Sequence, residues 1–181
     1  MIPPNGIFLG ATETDMIALE REGWPASEPP PPELNSGDPG MSLDLRLLRD
    51  SFESLRPHGD EMVDKFYSIL FSRHPDIQKM FARTAMVAQR KKFFDTLDEL
   101  IKHLEDPAKT LSDLMVLGNS HVDYGVKPEQ YPFVCDSLVE AMKSVAGENW
   151  TPKLDHAWRE AYGKVADIMK KGAALRRPAK S

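Results

Sequence analysis

The residue best placed to do chemistry is a histidine that continues an apolar helical stripe. His121 follows Leu114 by seven residues and Leu117 by four, which sets its imidazole on the buried side of a helix. Gly118 leaves space beside it. A neutral imidazole in apolar surroundings has two readings: a core histidine satisfied by a backbone carbonyl, or a ligand to a metal whose other partners lie elsewhere. No HxxxH, HxxE or cysteine pair accompanies His121, so a zinc or di-iron site made of protein alone is poorly supported. A metal gripped by one protein ligand needs a cofactor for the rest, and haem supplies four pyrrole nitrogens.

A haem pocket also requires flat aromatics, cations near the propionates and selected hydrogen-bond donors. Phe81 and Phe93 offer the aromatics, and Arg90, Lys91 and Lys92 the charge. Gln89 lies one turn before Phe93 on the same helical side, and Tyr67 belongs to an inward stripe. Each has a plainer reading as core or solvated surface. His58, His74, His103 and His156 sit in turn-like or polar contexts.

These side chains need helices to position them. Leu45, Leu48, Phe52 and Leu55 recur at three- and four-residue intervals, with Ser42 as the expected N-cap. Val63, Phe66, Tyr67 and Leu70 repeat the pattern, and a short helical turn is expected from Pro75 to near Phe81. Phe93, Leu97, Leu100, Ile101 and Leu104 mark the next helix. Asp106-Pro107 is a start signal for the helix bearing His121, which stops near Gly125. Pro128 opens a helix through Tyr131, Val134 and Leu138 that ends at Gly147, and Thr151-Pro152 opens the last, with Trp158 and Tyr162 expected to pack on the helix from Pro128. No stretch alternates with a two-residue period. The expectation is an all-α domain of six or seven helices.

Composition agrees. Of 181 residues 41% are apolar and 28% charged, as in a soluble globular protein. Residues 1–40 differ, with seven acids against Arg21 alone and eight of the fifteen prolines, including Pro29 to Pro32. They read as an acidic, Pro-rich, flexible N-terminal extension, residues 41–172 as the domain, and residues 173–181 as a short basic tail. The net charge of −5 gives no basic footprint, which argues against nucleic acid. No apolar run suits a membrane span or a secretory signal, so a cytoplasmic location is expected. Cys135 stands alone, which excludes an internal disulfide, and its place beside Val134 and Leu138 reads as a buried thiol.

From about Leu43 to Lys171 the sequence resembles the single-domain bacterial globins and the globin domain of flavohaemoglobins. The resemblance rests on ordered blocks: Lys65-Phe66-Tyr67, His74-Pro75 leading to Phe81, Gln89-Arg90 leading to Phe93-Phe94, Gly118 to His121, Lys127-Pro128-Glu129-Gln130-Tyr131, and Ala157-Trp158 with Tyr162-Gly163. It implies a globin fold around haem b, with His121 as the proximal iron ligand. Tyr67 and Gln89 then become the distal pair that stabilises a gas ligand, Phe81 stacks on the porphyrin, and Phe93 lines the distal cavity. Tyr131 stands behind the proximal histidine, and Lys92, Leu117, Val126 and Val134 complete the cofactor's surroundings. In flavohaemoglobins a glutamate near the end of the last helix joins the histidine and tyrosine in a relay. The matching stretch, Ala173 to Leu175, holds no acid. His121 should therefore behave as an ordinary imidazole, with little peroxidase-like push.

The resemblance implies reversible binding of O2, NO and CO. It also allows NO dioxygenation with a separate reductase, since no flavin or nicotinamide domain is expected after Lys171, and sensing through the N-terminal arm. A monomer or homodimer is expected.

Overall fold

A computed structural model describes residues 43–175. The arm, Ser42 and the end of the basic tail lie outside the described residues. The helices are α1 (Leu45–Leu55), α2 (Gly59–Arg73), α3 (Pro75–Met80), α4 (Met86–Lys102), α5 (Pro107–Asp123), α6 (Tyr131–Ala146) and α7 (Pro152–Ala174), joined by single 3₁₀ turns at Arg56–His58, Pro128–Gln130 and Gly147–Asn149. No strand occurs among the described residues.

Local chemistry sets most of these boundaries. Asp44 caps α1 by accepting from the Leu47 N–H at 3.0 Å, a role the sequence reading gave to Ser42. Asp106 does the same for α5 through the Lys109 N–H, with Pro107 at the first helical position. Thr151 and Pro152 repeat the device for α7. Pro75 bars continuation of α2 past His74, so the chain restarts as α3. The segment after Pro128 begins as a 3₁₀ turn before α6, because the Gln130 side chain turns back to accept from the Lys127 N–H at 2.8 Å. Gly147 ends α6 at φ 56°, a conformation that costs a residue with a Cβ and costs glycine nothing.

Two kinds of packing hold the helices around the site. On one side, aromatic rings interlock: Phe66 stacks on Phe93 with centroids 4.4 Å apart, and Phe52 of α1 meets both Phe94 and Trp158. On the other, α5 and α7 cross backbone to backbone. A Cβ at Gly118 would strike the Met169 carbonyl, and one at Gly172 would strike that of Met115. The crossing is reciprocal, so neither helix can slide without colliding with the other. His121 stands three residues after Gly118 and lines the same slot as Trp158, Tyr162, Val165 and Met169 of α7.

Candidate functional site

The helices enclose a thin slot of about 100 Å³ whose walls are almost wholly carbon. Its nineteen lining residues come from α1, α4, α5, α6, α7 and the adjoining turns. Five helices contribute to this one apolar space. It suits an apolar guest with a group that His121 can meet.

His121 is the imidazole on this wall, beside the phenols of Tyr131 and Tyr162. Its ring is 3% exposed, and Nδ1 lies 2.7 Å from the Leu117 carbonyl oxygen one turn earlier. A carbonyl only accepts, so Nδ1 carries the proton and Nε2 the lone pair. Burial lowers the imidazole's pKa from 6.5 to about 4, against a smaller opposing effect of the Leu117 contact. The ring is thus neutral at physiological pH, which is the form a metal requires, and its orientation is fixed by its own helix. The Tyr131 ring stands 6.3 Å from it at an interplanar angle of 24°, and Tyr124 meets it edge-on. Among the described residues no group of three or more His, Cys, Asp and Glu is close enough to hold an ion unaided.

The same pKa shift has a consequence for the haem-free chain. Above pH 6.5 the imidazole is neutral in folded and unfolded states alike. Between pH 6.5 and 4 the unfolded chain takes up a proton that the folded chain refuses, so stability falls as the pH drops. The loss should reach about 3 kcal/mol near pH 4. Urea unfolding across this range should show it, and His121→Gln should remove that part of the slope.

Of the other residues named from sequence, Phe93, Leu117, Val126, Tyr131 and Val134 line the slot beside His121. Tyr67 and Gln89 do not, but they find each other: Gln89 Nε2 donates to Tyr67 Oη at 3.2 Å, with both side chains buried. Phe93 touches the Tyr67 ring at 5.8 Å, so the pair is one side chain removed from the slot. Gln89 Oε1 is buried with no hydrogen-bond partner, an orphaned acceptor of the kind that marks a place for a polar guest. Phe81 packs on Phe71 and, edge-on, on Tyr67, a layer behind the slot, and Lys92 is half-buried away from it.

Several slot residues were assigned from sequence to the core alone. Leu97, Leu100, Ile101 and Leu104 continue the stripe of Phe93, and extending that stripe would have found them. Trp158 packs against Phe52 and donates from Nε1 to Ser51 Oγ at 3.1 Å, so its anchor is α1 rather than only the helix after Pro128. Trp158 and Tyr162 both line the slot. Ala173 and Ala174 border a shallow cleft that also touches His121 and Tyr131, and no carboxylate lines it. The Cys135 thiol is half-buried and pushed up to about 11 by desolvation, as an inert thiol would be.

Comparison with known proteins accounts for this arrangement. The flavohemoproteins of Bacillus subtilis and Rhizobium meliloti are 28% and 31% identical over 125 residues, which is 68% of this chain and 31% of each relative. The chain therefore spans about a third of the length of these relatives. Among solved structures, a Rhodothermus marinus protein named for nitric oxide dioxygenation and engineered as a carbene transferase superposes with a TM-score of 0.65 at 27% identity, covering 72% of this chain and 90% of its own. A bacterial globin from Campylobacter jejuni gives a TM-score of 0.63 at 26% identity, covering 72% and 94%. The family model described as Globin matches residues 64–169, the stretch that carries Tyr67, Gln89, His121 and the crossing of α5 with α7, and the chain belongs to the globin family.

Proposed function

We propose that the chain holds haem b in the slot and binds O2 and other diatomic gases reversibly. The observation that carries this reading is His121, whose neutral ring on the wall of an apolar slot is turned by the Leu117 carbonyl so that Nε2 is the acceptor. Bound there, haem would supply an iron that takes a gas ligand and shares electron density with it. His121 would hold the iron, and Tyr131 would buttress the ring from behind.

Tyr67 and Gln89 then act on the gas side. Gln89 donates into Tyr67 Oη, which leaves the phenol hydrogen to point elsewhere. Burial holds the Tyr67 pKa far above its usual value, so the phenol keeps its proton at neutral pH. A donor aimed at a ligand that accumulates negative charge stabilises it more than it would a neutral one. A hydrogen bond of this kind contributes roughly 1.5–3 kcal/mol, so Tyr67→Phe should speed O2 release roughly ten- to hundred-fold. Displacement of O2 by CO in a stopped-flow instrument measures this, and an unchanged rate would remove Tyr67 from the site.

A second reading, NO dioxygenation with a separate reductase, is favoured by the likeness to flavohemoproteins and to the Rhodothermus marinus protein. Mixing the O2-loaded protein with NO separates the two. Turnover sustained by an added reductase supports the enzyme, and one stoichiometric oxidation supports a gas carrier.

A further inference from the structure

The slot's carbon walls admit neutral gases but penalise an ion, which would shed its hydration without finding polar partners. A different opening, sharing no lining residue with the slot, lies beside Tyr67. Asp64, Ser68, Ser72, Gln78 and Arg90 line a polar cleft of about 410 Å³, and Tyr67, itself 1% exposed, is part of its floor. Arg90 of α4 reaches Asp64 of α2 across this region, with Nε 3.0 Å from Oδ1. That Nε is buried and lacks the angle of a hydrogen bond, so the guanidinium retains donor capacity. The two side chains are 42% and 61% exposed. Exposed pairs of this sort break readily.

We propose that the Arg90–Asp64 pair is a gate, and Arg90 a docking point, through which small monovalent oxyanions such as nitrite reach the Tyr67–Gln89 pair. This rests on the haem reading above. An incoming oxyanion competes with Asp64 for a planar fork of donors that suits two oxygens at once. Winning that competition seats the anion on Arg90 and frees the cleft beside Tyr67, while the Phe66–Phe93 stack and the Gln89–Tyr67 hydrogen bond keep α2 and α4 together. Uncharged gases need no such exchange and keep the apolar route. The guanidinium also lies near enough to Tyr67 to favour its ionised form, which puts its charge beside the phenol.

The test uses haem-loaded full-length protein, with nitrite as the anion and CO as the uncharged control. Association of nitrite with the ferric protein and of CO with the ferrous protein is followed by the shift of the Soret band. Arg90→Gln should slow nitrite association about tenfold and leave CO within a factor of two, in line with the low end of electrostatic steering. Asp64→Asn should speed nitrite, because the internal competitor is gone. Raising the ionic strength should slow nitrite in the unaltered protein and not in Arg90→Gln. Equal nitrite rates in all three proteins, or equal slowing of nitrite and CO, overturn the gate. A chain that takes up no haem overturns the functional reading with it, whereas normal haem uptake with unaltered nitrite rates sinks the gate alone.

Discussion

Purified His121→Ala protein is expected to come off the column almost free of haem while keeping its helices. Loss of a partner that only orients a metal-bound histidine costs roughly 10–100-fold in affinity, so losing the ligand itself should weaken retention by more than about 100-fold. The rest of the slot stays in place, because its walls on α4, α6 and α7 do not depend on the imidazole. Free imidazole added to the variant should therefore restore part of the Soret absorbance by occupying the vacated space. Far-UV circular dichroism separates haem loss from unfolding. Equal haem content with an unchanged axial signature would show that another residue grips the iron.

Gly118→Val should be the most damaging change to the fold. Overfilling a core costs about 1–3 kcal/mol when side chains can shift, but here the obstacle is the Met169 backbone, which cannot move without moving α7. A loss of more than about 3 kcal/mol follows, or a melting temperature lower by about 10 °C or more. Gly163→Ala is the control on the same long helix α7. A Cβ there meets nothing within 4 Å, and the better helix former should be neutral or raise stability by roughly 0.5–1 kcal/mol. Similar melting curves for the two variants would mean that α7 has room to move away from Gly118.

Much of this architecture was legible in the sequence. The start signals at Asp106-Pro107 and Thr151-Pro152 mark the helices they open, and the stop at Gly147 ends α6. His121 was legible for a physical reason: a titratable group in a stripe of leucines must be either satisfied or employed. Its satisfaction by Leu117 is local, four residues away, and follows from helical geometry. The side chains on the far wall were less visible. Leu48, Trp158 and Tyr162 face the slot through tertiary placement of α1 and α7, and in sequence an apolar residue bordering a cavity looks the same as one filling a core. The Arg90–Asp64 pair was equally hidden, since its members are 26 residues apart on helices whose contact no periodicity announces.

The slot's walls differ in how they are held, and this bears on engineering. The α4 side rests on ring-to-ring contacts, Phe93 on Phe66 and Phe94 on Phe52, which can repack when a neighbour changes size. The α5–α7 side is clasped main chain to main chain at two glycines and has nothing to repack. A mutational library meant to reshape the chamber for bulkier guests should tolerate variety at Thr96, Leu97 and Leu100, and lose most of its members to misfolding when it samples the neighbours of Met115 and Met169.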